Sequence, residues 1–235
     1  MWHRRVALTL AVLAVALLAC SGLGVRAGLW PFRVGFGMFA GALIAGLAAA
    51  GTAAVALAVP RLRGESVLGL ITAFLLGAAS AAVPLEHVRR VKTLPYINDV
   101  TTDTETPPQF SQPRPYEGHF GELQRIGYPD LQPLELALPP ARAFARARAA
   151  AQALGWEITA ADASAGRIEA VATTRWFGFK DDIVVRVAPA GSGSRIDVRS
   201  KSRVGRSDLG ANAKRIQDFL AAVMRAVDRP DRITP

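Results

Sequence analysis

Cysteine occurs once in this chain, at Cys20, so no disulfide can form within it and a zinc site built on paired cysteines is excluded. Histidine is almost as scarce. His3, His87 and His119 are the full set, and none lies in the last hundred residues. A Ser-His-Asp or Cys-His arrangement confined to that region is therefore impossible, as is a histidine-based metal site there. Aromatic residues make up 7% of the chain and few interleave with basic ones. Single-stranded nucleic acid is held by stacking on such rings, so a charge-driven nucleic-acid domain is not favoured. Carboxylates are outnumbered, 19 Asp and Glu against 28 Lys and Arg, for a net charge of +9. A basic excess suits lipid headgroups, nucleic acid or acidic polymers, and charge alone does not choose among them.

What the chain has in abundance is apolar residues, 51% of 235, and they are concentrated in residues 1–84. Three runs stand out: VALTLAVLAVALLACSGLGV, VGFGMFAGALIAGLAAAGTAAVALAV and VLGLITAFLLGAASAAV. Crossing the hydrocarbon core takes roughly 20 apolar residues, so transmembrane helices are expected at about 6–25, 34–59 and 67–84. Arg and Lys mark their ends, and Trp30 and Phe32 fall where an interfacial aromatic belt belongs. Gly37 and Gly41 form a GxxxG step that permits close helix packing, although glycine is common in such spans anyway. LLAC, Leu17 to Cys20, also reads as a lipoprotein cleavage box, with Cys20 the lipid carrier. Two further spans make such an anchor redundant, and a plain membrane helix is the favoured reading.

With the N-terminus inside, the inner side would hold Arg4, Arg5, Arg61 and Arg63, and the outer side Arg26, Arg33, Arg89, Arg90 and Lys92. This balance does not set the topology, but the Arg4–Arg5 pair before the first span favours an inner N-terminus. The expectation is a multi-pass protein of the bacterial inner (plasma) membrane with its C-terminal domain in the periplasm. The lipid bilayer is its first partner.

Residues 85–132 form a proline-rich linker, expected to run extended as a strap along the C-terminal domain and not as a helix. It contains INDVTTDTETPPQF, with Asp99, Asp103 and Glu105 among threonines. Carboxylates can meet a hard cation, but this spacing matches no cation loop and Asx-turns account for Asp beside Thr. No metal and no cofactor is expected.

Residues 133–235 read as a domain of order β-α-β-β-β-β-α, an α+β fold with an antiparallel sheet. Leu134, Leu136 and Leu138 alternate in a short strand, and Pro139–Pro140 opens an Ala/Arg-rich helix that Gly155 stops. Phe144, Ala147, Ala151 and Leu154 should face inward. Strands follow at WEITAA, RIEAVATTRW, DIVVRV and RIDVRSKSRV. A last helix, capped by Ser207 or Asp208, should bury Leu209, Ala213, Ile216, Phe219, Leu220, Val223 and Val227. The strand alternation gives one apolar sheet face under the helices. The other face is charged, with Glu169 and Arg186 as an expected cross-strand pair.

RSKSRVGRSDLGANAKRI, Arg199 to Ile216, falls at the last strand-to-helix junction. Arg199 and Arg203 should project from the polar face, while Ser200 and Ser202 face the core side. Gly205 suits a positive φ. Gly210 and Asn212 are poor helix formers, and a close backbone approach or a bond to the strap would account for them. Two readings stay open. In one, Arg–carboxylate pairs hold a capped junction, with Glu169, Asp181, Asp182, Ser200, Ser202, Asp208 and Asn212 as a structural network. In the other, Arg186, Arg199, Arg203 and Arg215 bind an anion. Asp208 at the helix start counts against the second. Asp181 and Asp182, adjacent on a strand, should point to opposite sides.

INDVTTDTETPPQF, GRIEAVATTRWFGFKDDIVVRV, RSKSRVGRSDLGANAKRI and the interhelical GLWPFRVGF resemble the family known as domain of unknown function 1499 in its membrane-anchored bacterial form. The resemblance implies the architecture and no established activity. The function expected is a binding or scaffolding domain for an anionic lipid or an envelope protein, with no catalytic residues. The alternative is a membrane-anchored hydrolase with Asp181, Asp182 or Asp208 as base.

Overall fold

The computed structural model describes residues 2–63 and 67–228, without the side chains of Arg63, Val227 and Asp228. The expected inward placement of Val227 therefore lies outside the described residues. The chain divides into two compact units, one of residues 1–92 with 174–178, the other of 93–173 with 179–235.

The first unit is built from helices α1 (Trp2–Arg26), α2 (Phe32–Ala58), α3 (Pro60–Arg63) and α4 (Val67–Thr93). α1, α2 and α4 are long and apolar enough to cross a membrane. α4 continues well past the expected 67–84, carrying Pro84 inside it. The GxxxG step is not where α2 is crowded. A Cβ on Gly37 would meet open space, whereas one on Gly46 would lie 2.6 Å from the Gly77 carbonyl oxygen, and one on Gly77 2.7 Å from that of Gly46. Small residues let backbones touch at Gly46 on α2 with Gly77 on α4, and at Gly35 on α2, where a Cβ would lie 2.5 Å from the Ser21 carbonyl oxygen of α1. In residues 174–178 of this unit, the Thr174 and Arg175 carbonyls accept from Arg26, and Phe177 lies 5.2 Å from the Phe36 ring.

The second unit is α+β. Its elements are β1 (Asp99–Thr101), α5 (Gly118–Gly127), β2 (Leu134–Leu136), α6 (Pro140–Ala153), β3 (Glu157–Asp162), β4 (Arg167–Thr173), β5 (Lys180–Ala190), β6 (Gly193–Ser202) and α7 (Ala211–Asp228). The sheet runs β1-β6-β5-β4-β3, all antiparallel, with β2 also on β6. β1 and β2 lie end to end along one edge of β6, opposite 199–201 and 194–196. β5 and β6 turn through Gly191 and Ser192, where Gly191 takes φ 53°. The order from β2 onward is the one expected.

The linker differs from expectation. Its prolines stop at Pro115 and resume at Pro129. The proline-free stretch between them forms α5, which buries Phe120, Gly121 and Gln124. Proline disfavours a helix only locally, so a proline-free stretch between two prolines can still be helical. The segment is also integral to the sheet: β1 comes from it, and Ile97 and Val100 are fully buried in the same core as α6 and α7.

That core unites Ile168, Ala170 and Ala172 of β4, Ile183, Val185 and Val187 of β5, Ile196 and Val198 of β6, and Ala213, Ile216, Phe219 and Val223 of α7. Period-two alternation on the strands and the helical stripe on α7 meet here, as their spacing requires. Leu154 and Leu209 are exceptions: Leu154 is 37% exposed just past the end of α6, and Leu209 is half-buried ahead of α7 with φ 52°. Trp156 stacks on Phe219 with centroids 5.0 Å apart. Phe219→Ala should cost about 3–5 kcal/mol of domain stability. Denaturant unfolding of the full-length protein in detergent checks this, and a loss under about 1 kcal/mol would mean that the site collapses around the gap.

Candidate functional site

Strand alternation places Arg195, Asp197, Arg199 and Lys201 on the side of β6 away from α6 and α7. Asp182 and Arg186 of β5, and Arg167 and Glu169 of β4, share that side. This face was expected to be open to water. Instead residues 102–116 lie over it, and several of its charges are buried.

Arg199 is the centre of that cover. It is 0% exposed, and so is its partner Asp99. Nε donates to one Asp99 oxygen at 2.9 Å and Nη2 to the other at 2.8 Å. Nη2 also donates to the Arg114 carbonyl at 2.8 Å, and Nη1 to that of Pro108 at 3.3 Å. The guanidinium sits over the rings of Phe110 and Tyr116, 5.2 and 5.3 Å from their centroids. One side chain therefore fixes Asp99 of β1 and four residues of the covering segment. Arg199 does not project into solvent, as its strand position suggested, because the proline-rich segment supplies carbonyls that no strand pairs.

Three further ion-pair groups follow on the same face. Lys201 Nζ meets Asp99 at 2.9 Å and the Pro115 carbonyl at 3.2 Å. Arg203 grips both oxygens of Asp182, and Arg114 reaches the second of these at 2.7 Å. Arg186 and Arg195 both bond Asp197 and Asp103. Burial pushes the Asp103 carboxyl up, but the Thr106 N–H and hydroxyl and Arg186 outweigh it, leaving the group below its ordinary range. The hydrogen bonds that Arg203 donates to Asp182 raise the Arg203 guanidinium in turn. The expected Glu169–Arg186 pair does not form. Register sets Glu169 opposite Val184 and Arg186 opposite Arg167. Glu169 instead accepts from the Ser111 N–H at 2.6 Å and its hydroxyl at 2.9 Å.

On the helix side a second network closes the strand-to-helix junction. Asp181 points opposite to Asp182, as adjacent strand residues must, and binds Arg215 of α7. Buried Asn212 accepts from Ser200 and Arg215. It donates to Ser202 at 3.0 Å and to the Asn98 carbonyl at 3.1 Å. The bond to Asn98 is the expected tie between α7 and the strap. Asp208 accepts from the Gly210 and Asn212 N–H groups at 3.0 and 2.7 Å, and burial, ahead of those bonds, moves its carboxyl up. Ser207 accepts from the Leu209 N–H. Gly205 takes φ 91° as expected. Gly210 takes φ 83° and faces only the side chains of Leu94 and Tyr128, so backbone conformation, not a close backbone approach, requires glycine there.

All four arginines proposed for an anion thus hold carboxylates of the domain, Arg186 on Asp197 and Asp103, Arg199 on Asp99, Arg203 on Asp182 and Arg215 on Asp181. Alternation already puts Asp197 and Lys201 on this charged face beside Arg199 and Arg203; the sequence reading missed Arg114, which comes from the covering segment. Asp99, Asp103 and Glu105 go to separate cations, Arg199, Arg186 and Arg125. Among the described residues no group of three or more His, Cys, Asp or Glu is placed to hold a metal.

Three helices fit for a bilayer, followed by an antiparallel α+β domain whose charged face is covered by its own N-terminal segment, fit a membrane protein. A family model described as "Protein of unknown function (DUF1499)" matches residues 99–223, more than half of the chain, and the chain belongs to that family. The match begins at Asp99, the carboxylate that Arg199 grips, and takes in the covering segment as well as the sheet and α7. A comparison with curated proteins found no match.

Asn212→Ala removes the acceptor of Ser200 and the donor to Asn98, and should lower stability by about 1–3 kcal/mol in denaturant titration. Retention of full stability would show that water replaces the amide without cost.

Tyr116 and Tyr128 supply a pH test. Their hydroxyls are buried without a hydrogen-bond partner. Burial, then the Asp99 charge, pushes Tyr116 up to about 12, and burial, then Asp208, pushes Tyr128 up to about 12. The unfolded phenols titrate near 10. The raised values favour neutral phenol in the fold, so this stability is whole below about pH 10 and is lost as the pH climbs to about 12. Ultraviolet titration should show tyrosinate appearing together with unfolding in that window, and Tyr116→Phe should move the onset upward. Two tyrosines ionising near 10 in an intact fold would contradict this burial.

Proposed function

We propose that the protein holds its α+β domain at the outer face of a bacterial inner membrane as a binding or scaffolding module for an anionic envelope component. The observation that supports this reading is the composition of the covered face. In the ion pairs described there, seven cations (Arg114, Arg167, Arg186, Arg195, Arg199, Lys201 and Arg203) meet five carboxylates (Asp99, Asp103, Glu169, Asp182 and Asp197). Within these pairs cations outnumber carboxylates by two, with Glu135 opposite Arg195 and Glu157 near Arg203 offsetting part of the excess, and the paired side chains are fixed in place by one another. Fixed cations bind an anion without first losing rotamer freedom. A hydrolase would need a carboxylate available to take a proton. Asp181 and Asp182 instead diverge to opposite faces, each bound by arginine, and Asp208 is bonded to two backbone N–H groups.

The test uses the full-length protein in a non-ionic detergent. It should be retained on immobilised dextran sulfate, with retention falling steeply as salt rises from about 0.05 to about 0.5 M. It should show no turnover across a panel of esters and phosphoesters. Turnover abolished by Asp182→Asn, or retention indifferent to salt, would contradict the reading. A reporter fused after Pro235 that is active only outside the cytoplasm should be active.

A further inference from the structure

We propose that Arg114, Lys180, Lys201 and Arg203 form a surface site for a phosphate group around Asp182, which rests on the anion-binding reading above and gives it a place and a ligand chemistry. Asp182 lies on β5 with Lys201 of β6 as its register partner, and Lys201 in turn is the register partner of Asp99 on β1. Asp99, Lys201 and Asp182 therefore form a row across three strands. Arg203 follows Lys201 by two residues, and Lys180 precedes Asp182 by two and is exposed. Arg114 arrives from the covering segment, 2.7 Å from Asp182.

The charges in this row do not balance. Asp99 already holds buried Arg199 as well as Lys201, and Asp182 holds both Arg114 and Arg203. Four cations face two carboxylates before Lys180 is added. Glu157 and Asp181 act on Arg203 only through longer-range attraction. The Arg186–Arg195 group, by contrast, has two cations on two carboxylates. The excess positive charge is thus localised at the Asp182 end of the face.

The cations there also reach solvent. The side chains of Arg203, Arg114 and Lys201 are 41%, 34% and 19% exposed, whereas Arg199 is fully enclosed. A guanidinium carries five N–H donors. Arg203 aims Nε and Nη2 at Asp182, a contact in which its Nη1 takes no part, and Arg114 uses Nη1 alone in the same contact. Their positions are set from below. Arg199 holds the Arg114 carbonyl, and the Pro115 carbonyl holds Lys201. Two fixed guanidinium forks on a single carboxylate, with Lys201 on the neighbouring Asp99 and exposed Lys180 two residues before Asp182, match a tetrahedral, multiply charged oxyanion better than a lone carboxylate. A phosphate ester in solution and a phospholipid headgroup share this chemistry.

The test takes full-length protein in detergent micelles and titrates it calorimetrically with inorganic phosphate. In parallel, the protein is placed in nanodiscs of phosphatidylcholine with or without phosphatidylglycerol, and bound lipid is counted by native mass spectrometry. Lys180→Gln with Arg203→Gln should weaken phosphate binding tenfold or more. Lys180→Gln alone, at an exposed position, should weaken it severalfold and covers the case in which the double variant does not fold. Asp182→Asn should strengthen binding about tenfold, because Arg114 and Arg203 lose their internal carboxylate. A merely structural role for Asp182 gives no such gain. Phosphate binding unaffected by phosphatidylglycerol would assign the site to a soluble phosphate ester. Phosphatidylglycerol retention that phosphate displaces would assign it to a headgroup. Equal phosphate affinity in all variants, or saturable binding of neither probe, would overturn the proposal. If dextran sulfate retention persists in that case, the site falls and the broader reading stands. If both are lost, both fall.

Discussion

Asp99 and Arg199 stand one hundred residues apart and meet where neither touches water. The rest of the α+β domain depends on this pair. Removing two charges from water costs several kcal/mol each, and their attraction offsets that only when the geometry is good and the remaining N–H groups are bonded. Both conditions hold here. The carboxylate is gripped by two nitrogens, and the guanidinium's remaining bonds go to the Pro108 and Arg114 carbonyls. An apolar pair of similar volume could match the stability. It would leave those two carbonyls buried without donors. The ion pair thus determines where the proline-rich segment lies, a role that packing alone does not fill.

From that constraint the other polar contacts follow. With the segment in place, Asp103 comes within reach of Arg186 and Arg195, Ser111 within reach of Glu169, and Arg114 within reach of Asp182. On the opposite face Asn212 ties α7 to Asn98, just before β1. The segment is therefore held from both sides of the sheet. Its side chains and those of β5 and β6 lose their rotamer freedom on folding, before any ligand arrives. A charged lattice prepared in this way is already ordered and has little rotamer freedom left to lose. It is also poorly suited to proton transfer, because each carboxylate considered as a base already has firm partners.

Much of this fold could be read in the residues themselves. Alternation in RIEAVATT and DIVVRV placed their strands and inward faces, and the stripe from Ala213 to Val223 placed α7. Asp181 and Asp182 diverge because adjacent strand residues must. Asn212, a poor helix former, was legible as a residue chosen for a bond to the strap. Other features left only weak local traces. α5 was hidden by proline on both sides, although Tyr116 to Tyr128 holds none. The burial of Arg199 had no local trace, because it depends on a partner one hundred residues away. Register, which alternation does not fix between strands, put Arg186 opposite Arg167 and so undid the expected bond to Glu169. In the helices, glycine spacing within α2 pointed to Gly37 and Gly41. The close approaches need Gly46 and Gly77, which belong to different helices, and Gly35 against the Ser21 carbonyl.

The most direct measurement of the central claim is a double-mutant cycle on Asp99 and Arg199 in the full-length protein, with Asp99→Ala, Arg199→Ala and the pair together followed by denaturant unfolding. Each single change should cost about 3–5 kcal/mol, because it strands a buried charge, and the double change should cost little more than either single one. Losses that simply add would show that the two side chains do not act as a unit, and that something else fastens the segment to the sheet.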